Sequence, residues 1–312
     1  MIPNRIFFIW FGKALPWTAA LAVRSAWNVA KPEEILLYHS GLEPAGLVRE
    51  LTEEIPALKL CPIESGLFDD LGDGGVTRSL YAELPSPATK ANLVRLALLY
   101  KIGGVYLDTD VIVVEEFAKL LALRGFCGVE PVALPQEIFK SINPFRWLFC
   151  GLQFAFREFC ARMPSGYKIF RLGERYYSTA ANNAILASEP GNEFFKQAFE
   201  AIQKMPPAEQ RKRFRLGTHL LQKLTQNQSS PNMTVLPAEF FYPLGPEVSA
   251  HWFRKGTAKK LGDMLYADTK VVHWYNSVEK RFLKTKIDAN WVELHPDTAF
   301  SELAKKGRIQ GK

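Results

Sequence analysis

The sequence predicts an α/β protein built on a mostly parallel sheet. Short apolar strands alternate with helical stretches through the first third of the chain. A buried helix pattern then runs through two glycines straight into another apolar strand. The chain has 312 residues, 47% of them apolar and 23% charged, as in a soluble globular protein with one large domain or two small ones.

The elements follow in order. Residues 6–11 read as a buried strand, 17–29 as a helix and 34–38 ("EILLY") as a second strand. Residues 47–55 form an amphipathic helix and 58–62 a short strand. Residues 66–88, rich in Gly, Asp, Pro and Ser, read as a loop. Thr89 stands at an N-cap position, and Leu93, Leu96, Ala97 and Tyr100 give the helix over 90–102 one apolar stripe. Gly103 suits a left-handed helix end and Gly104 frees the turn into a strand over 105–114. A short helix at 117–123, the strand "GFCGVE", a loop and helix over 182–205 and a helix at 216–226 come next. Two late strands lie in "TVLPAEFFYPLG" and "TKVVHWYNSV". With no repeat or convincing linker, residues 1–290 read as a single domain, 140–176 as an aromatic and basic insertion, and 291–312 as a tail with a frayed end.

Several function classes drop out. No run of 18 apolar residues exists, so no transmembrane helix is expected, and the N-terminal apolar block lacks a cleavage site. Cys61, Cys127, Cys150 and Cys160 are too dispersed for a zinc site and read as reduced core thiols. The net charge of +7 favours phosphates or acidic lipid surfaces, and nucleic-acid motifs are missing.

The decisive stretch is "KANLVRLALLYKIGGVYLDTDVIVV", residues 90–114. Asp108 and Asp110 would face the same side of a strand. Two like charges in a buried strand are costly, and three rescues are open: water at a sheet edge, arginine partners, or a divalent cation such as Mg²⁺ or Mn²⁺. Asn92 and Arg95 share a face of the preceding helix, where the arginine would orient a carboxylate or neutralise a diphosphate.

This block resembles the DXD-containing sugar transferases of glycosyltransferase family 32, whose pattern is S-D-x-x-R followed by Y-x-x-G-G-x-Y-x-D-x-D. "IPNRIFFIWFG", "NNAILASEPGNEFF", "LGTHLLQKLT", "LPAEFFYP" and "VVHWYNSV" resemble further family segments in the same order, spanning residues 2–278. The resemblance implies a GT-A fold, a Rossmann-like mixed sheet flanked by helices with helical additions. It implies a nucleotide-sugar donor, UDP-linked in preference to GDP-linked, a Mn²⁺ or Mg²⁺ ion, and retention at the anomeric carbon. Carried over by residue, Trp10 would stack on the base and Arg95 would contact phosphate or sugar. Asp108 and Asp110 would hold the metal with His273, Asn183 would bind the donor, and Ser277 would touch the diphosphate. Asn92 stands where the family has Asp, so its amide would meet sugar hydroxyls without a negative charge. Val278, Phe8 and Asn192 also depart from the family pattern.

The implied acceptor is a polysaccharide, glycolipid or other carbohydrate, and the expected setting is the cytoplasm. Residues 140–176 carry seven Lys or Arg against two Glu, with nine aromatics interleaved. They fit either a core helix with basic surface residues or an element that docks a lipid-linked acceptor at the inner membrane face. Two other functions are weighed. "VYLDTDVIVV" also resembles the haloacid-dehalogenase phosphatase motif, with Asp108 as nucleophile and "GDMLYAD" as a late echo, although that motif opens its domain. A nucleotide-sugar binder with reduced catalysis is the other.

Overall fold

The computed structural model describes residues 1–133, 135, 138–139, 141–212, 214–226, 232–278, 283 and 285–308. Residues 227–231 and the last four residues lie outside them. The strands are β1 (Arg5–Phe11), β2 (Glu34–Ser40), β3 (Leu58–Pro62), β4 (Gly104–Leu107), β5 (Val111–Val113), β6 (Gly125–Val132), β7 (Ser178–Ser188), β8 (Thr234–Leu236) and β9 (Val271–His273). Seven of them form one sheet in the order β3-β2-β1-β4-β7-β6-β8. Its first half is parallel, β7 runs antiparallel to both neighbours, and β8 is parallel to β6. β5 and β9 make a separate antiparallel ribbon.

The helices are α1 (Trp17–Ser25), α2 (Leu47–Glu54), α3 (Val76–Glu83), α4 (Pro87–Lys101), α5 (Pro144–Arg162), α6 (Gly166–Gly173) and α7 (Glu193–Gln203). The short α8 (Pro207–Gln210), α9 (Thr218–Gln226), one-turn α10 (Leu261–Met264) and α11 (Asn276–Val278), α12 (Ala289–Leu294) and α13 (Ala299–Arg308) complete the set. A π-helical turn over Ala26–Ala30 prolongs α1.

Both faces of the sheet are covered, which is why its parallel strands read as unbroken apolar runs. Along β1, Ile6 and Phe8 join one core cluster while Phe7 and Ile9 join the other; β2 and β4 split in the same way. The α4 helix is buried through Leu93–Leu99 because it lies between the sheet and its companions α3 and α7. Gly103 and Gly104 adopt φ of 65° and 107°. A Cβ at Gly103 would stand 2.6 Å from the Ser188 carbonyl oxygen, and one at Gly104 2.5 Å from Arg5 Cγ. These positions need glycine for both conformation and space.

The structure corrects several expectations. The strand over 105–114 is two strands, β4 and β5, separated by a turn at 108–110. The helix before it begins at Pro87, with Ser86 at the N-cap position, and Thr89 lies inside the first turn, donating its hydroxyl to the Ser86 carbonyl. The loop at 66–88 contains α3, whose first turn is held by Asp73 accepting from the Gly75 and Thr77 N–H groups. The short helix at 117–123 is a single 3₁₀ turn, Leu120–Ala122. The supposed loop at 182 is part of β7, a central strand whose Ala and Asn content hides it; packing between β4 and β6 overrides weak propensity. Residues 291–308 are no loose tail. Trp291, Phe300, Leu303 and Ala304 are buried, and α13 packs along α1.

Candidate functional site

β4 ends at Leu107, and the chain turns through Asp108-Thr109-Asp110 before β5 starts at Val111. The two carboxylates therefore sit in a turn and not on one face of a continuous strand. The β5–β9 ribbon pairs Val111 with His273 and so delivers the histidine from 163 residues away. The ladder continues past the strands: the Trp274 N–H donates to the Asp110 carbonyl at 3.1 Å, and the Asn276 N–H to Asp110 Oδ2 at 2.8 Å. His273 Nε2 lies 3.1 Å from Asp110 Oδ1. Asp108, Asp110 and His273 each present a ligand atom, all within 4.8 Å of one another.

Asp108 is held from the opposite side. Its Oδ1 accepts from the Tyr106 hydroxyl and lies 3.4 Å from Arg95 Nη1. The Arg95 guanidinium sits 4.4 Å over the Tyr106 ring and also donates to the carbonyls of Asn183 and Ala91. Arg95 is 6% exposed, so its charge is buried yet fully engaged. Asn183 Nδ2 donates to Asn92 Oδ1 at 2.9 Å. Gly217 closes over this pair; a Cβ there would lie 2.5 Å from Asn183 Nδ2 and 2.9 Å from Asn92 Oδ1.

The two carboxyl groups shift in opposite directions. Burial pushes Asp108 above the usual range; Arg95 offsets part of that rise and Asp110 adds to it. Burial also opposes charge on Asp110, but the His273 imidazole and the Asn276 amide outweigh it and hold that carboxyl low. Burial opposes protonation of His273, and Asp110 outweighs it in turn, so the imidazole keeps its proton more tightly than usual. A divalent cation held by these atoms would take the place of the imidazole proton.

Asn92, Arg95, Asp108, Asp110 and Asn183 line an open cleft of about 700 Å³, with Trp10 on one wall and Asn276 beside Asp110. Trp10 is half-buried, and its Nε1 donates to the Ala14 carbonyl at 3.0 Å, which fixes the ring. The cleft lies at the carboxyl ends of β1 and β4. From β1 the chain leaves towards β2 on one side and returns as β4 on the other, the switch point where open α/β sheets bind ligands.

Of the residues singled out by sequence, Trp10, Asn92, Arg95, Asp108, Asp110 and Asn183 line this cleft, and His273 joins it through Asp110. Ser277 is exposed on α11 and does not line the cleft; its neighbour Asn276 does. Asn192 caps α7 and donates to the carbonyls of Arg124 and Asn232, a structural role. Asp263, in the "GDMLYAD" echo, pairs with Lys168 on the surface and takes no part in the cleft. Sequence reasoning missed Tyr106, Gly217 and Asn276. Tyr106 was legible, since strand alternation puts it on the side of Asp108. Asn276 acts through its backbone and leaves no side-chain signal.

Carboxylates gathered around a turn at the switch point of an open α/β sheet, with a buried arginine behind them, define a DXD-type site. Residues 63–126 match the family described as "Glycosyltransferase sugar-binding region containing DXD motif". That region holds Asn92, Arg95, Asp108 and Asp110. A 134-residue stretch is 32% identical to the "Glucan organizing enzyme 1" of Cryptococcus neoformans var. grubii, covering 43% of this chain and 32% of that protein. The chain therefore spans about a third of the length of that curated relative. Among solved structures, the "PaToxG Glycosyltransferase" superposes on 98% of this chain and 87% of its own, with TM-score 0.47 and 14% identity. Mouse xyloside xylosyltransferase 1 covers 88% of this chain and 98% of its own, with TM-score 0.46 and 13% identity. These superpositions carry no functional assignment.

Proposed function

We propose that this chain transfers a sugar from a nucleoside-diphosphate sugar, a UDP-sugar, to a hydroxyl of a polysaccharide, glycolipid or other carbohydrate acceptor. The observation that carries the reading is the convergence of Asp108, Asp110, His273 and Arg95 on one cleft at the switch point. Two carboxylates and an imidazole suit Mn²⁺, and the carboxylates alone suit Mg²⁺. Asp108, Asp110 and His273 would hold that ion, which when bound supplies charge neutralisation for the diphosphate leaving group.

The chain's own groups do the rest. Arg95 positions Asp108 and lends the cleft a fixed positive charge behind the carboxylates. The Asn276 N–H and the His273 ring fix Asp110 in one orientation. Trp10 offers a ring braced from behind, against which a base stacks. Asn92 spends its oxygen on Asn183, which leaves its amide hydrogens for sugar hydroxyls. A cleft of about 700 Å³ is large enough for a nucleotide sugar. The uridine base and retention of configuration rest on the resemblance of the central block to family 32. The phosphatase motif fits less well, because three strands precede β4, the strand that leads into the Asp pair, and the matched region is that of glycosyltransferases.

The test is nucleotide release from a panel of UDP- and GDP-sugars with Mn²⁺. Release from a UDP-sugar that stops with EDTA and in Asp110→Asn supports transfer. Phosphomonoesterase activity without nucleotide-sugar binding contradicts it.

A further inference from the structure

α5 is 19 residues long and buries only Cys150, Gln153 and Cys160. Phe145, Leu148, Phe149, Leu152 and Phe159 recur at helical spacing and form one stripe along it. Each of them is more than half exposed, and Phe145 reaches 77%. Ile142, just before the helix, is fully exposed, and Leu172 on α6 is 77% exposed. Soluble chains do not normally leave so long an apolar row in water.

The charges around the stripe are one-sided. Arg146 and Arg162 are exposed on the same helix. Its one acidic residue, Glu158, is held by Arg157 and Arg162. A second copy of this chain laid on the stripe would bring arginines towards arginines. An anionic phospholipid surface offers them phosphates and takes up the apolar row beneath.

The position of the stripe gives this surface a use. A concavity of about 560 Å³ at the foot of α5, lined by Phe145 and Phe149, shares Pro135 and Ser178 with a second one that holds Glu130. The second shares Phe214 and Thr218 with the DXD cleft. The three concavities thus adjoin one another between the helix and Asp108.

We propose that α5 lies in the interface of an anionic phospholipid bilayer with its apolar stripe inserted. A lipid-borne hydroxyl acceptor then reaches the cleft along this line of concavities, a step that rests on the proposed glycosyl transfer. The docking itself is tested without it. Wild-type protein is floated with phosphatidylcholine–phosphatidylglycerol vesicles and with pure phosphatidylcholine vesicles, alongside the double variant Leu148→Glu/Leu152→Glu. Both leucines are exposed, so the variant folds. The expected result is strong flotation on the anionic vesicles, weak flotation on the neutral ones, and a variant that binds roughly 100-fold more weakly, from two lost leucine insertions. Nucleotide release in vesicle-free buffer stays unchanged in the variant, which separates failure of docking from failure of transfer. A wild-type chain left in the soluble fraction, or a variant that floats equally well, overturns the docking. So does a wild-type dimer in sedimentation that the variant abolishes, which would assign the stripe to a second copy.

Discussion

In the cleft, Arg95 is a charged group held inside the protein against the part-buried Asp108; on α5, Phe145 and Leu148 are apolar groups held outside it. Both placements oppose the ordinary hydrophobic pattern, but they are compensated differently. Arg95 has Asp108, the Tyr106 face and two carbonyls, and the Asp110 carboxylate has His273 and the Asn276 backbone amide. The cleft is complete before any ligand arrives. Among the described residues the α5 stripe has no comparable cover, so its compensation has to come from elsewhere. The difference separates a preorganised site from a surface that is finished only by its partner.

The contrast can be broken from the cleft side. Arg95→Leu leaves the part-buried Asp108 without its cation and is expected to cost about 2 kcal/mol of stability, read by urea unfolding, because a half-broken pair keeps part of its desolvation penalty. A loss under about 0.5 kcal/mol, the scale of an ordinary surface change, would show that the pair is not the internal brace described. On α5, charges placed in the stripe should leave the unfolding free energy unchanged and alter vesicle binding alone. A smaller effect is expected at the wall of the cleft. Trp10→Ala should raise the KM for the nucleotide sugar about tenfold with little change in kcat, as for one lost base–aromatic stack. A matching fall in kcat would place Trp10 closer to the chemistry. The mildest change is Asn92→Asp. Aspartate still accepts from Asn183, so the fold should hold, while release rates among UDP-sugars should shift relative to one another by less than about tenfold. An unchanged preference would remove Asn92 from the sugar contact.

The same contrast explains how much was legible in the sequence. The helix, the two glycines and the Asp pair each carry a local cost that only a site or a tight turn repays, so residues 90–114 were readable. The exposed stripe was readable as a pattern, but its exposure was not, because a core helix has the same periodicity. Central strand β7 was hidden, since Ala and Asn there are chosen for close packing between β4 and β6. The α13 helix was hidden behind its basic end, while Phe300 and Leu303 did the packing. His273 could be named only through the resemblance. Its place beside Asp110 depends on the β5–β9 ribbon, a pairing across about half of the chain that no local pattern encodes.

The central claim is that the DXD turn and His273 form a metal–diphosphate site. Calorimetric titration of UDP into the protein, with Mn²⁺ and with EDTA, tests it without an acceptor. The account predicts binding with Mn²⁺, its loss in EDTA, and a weakening of about 100-fold or more in Asp110→Asn, the scale of one lost charge-stabilising contact. UDP binding of equal strength in EDTA, or in Asp110→Asn, would contradict it.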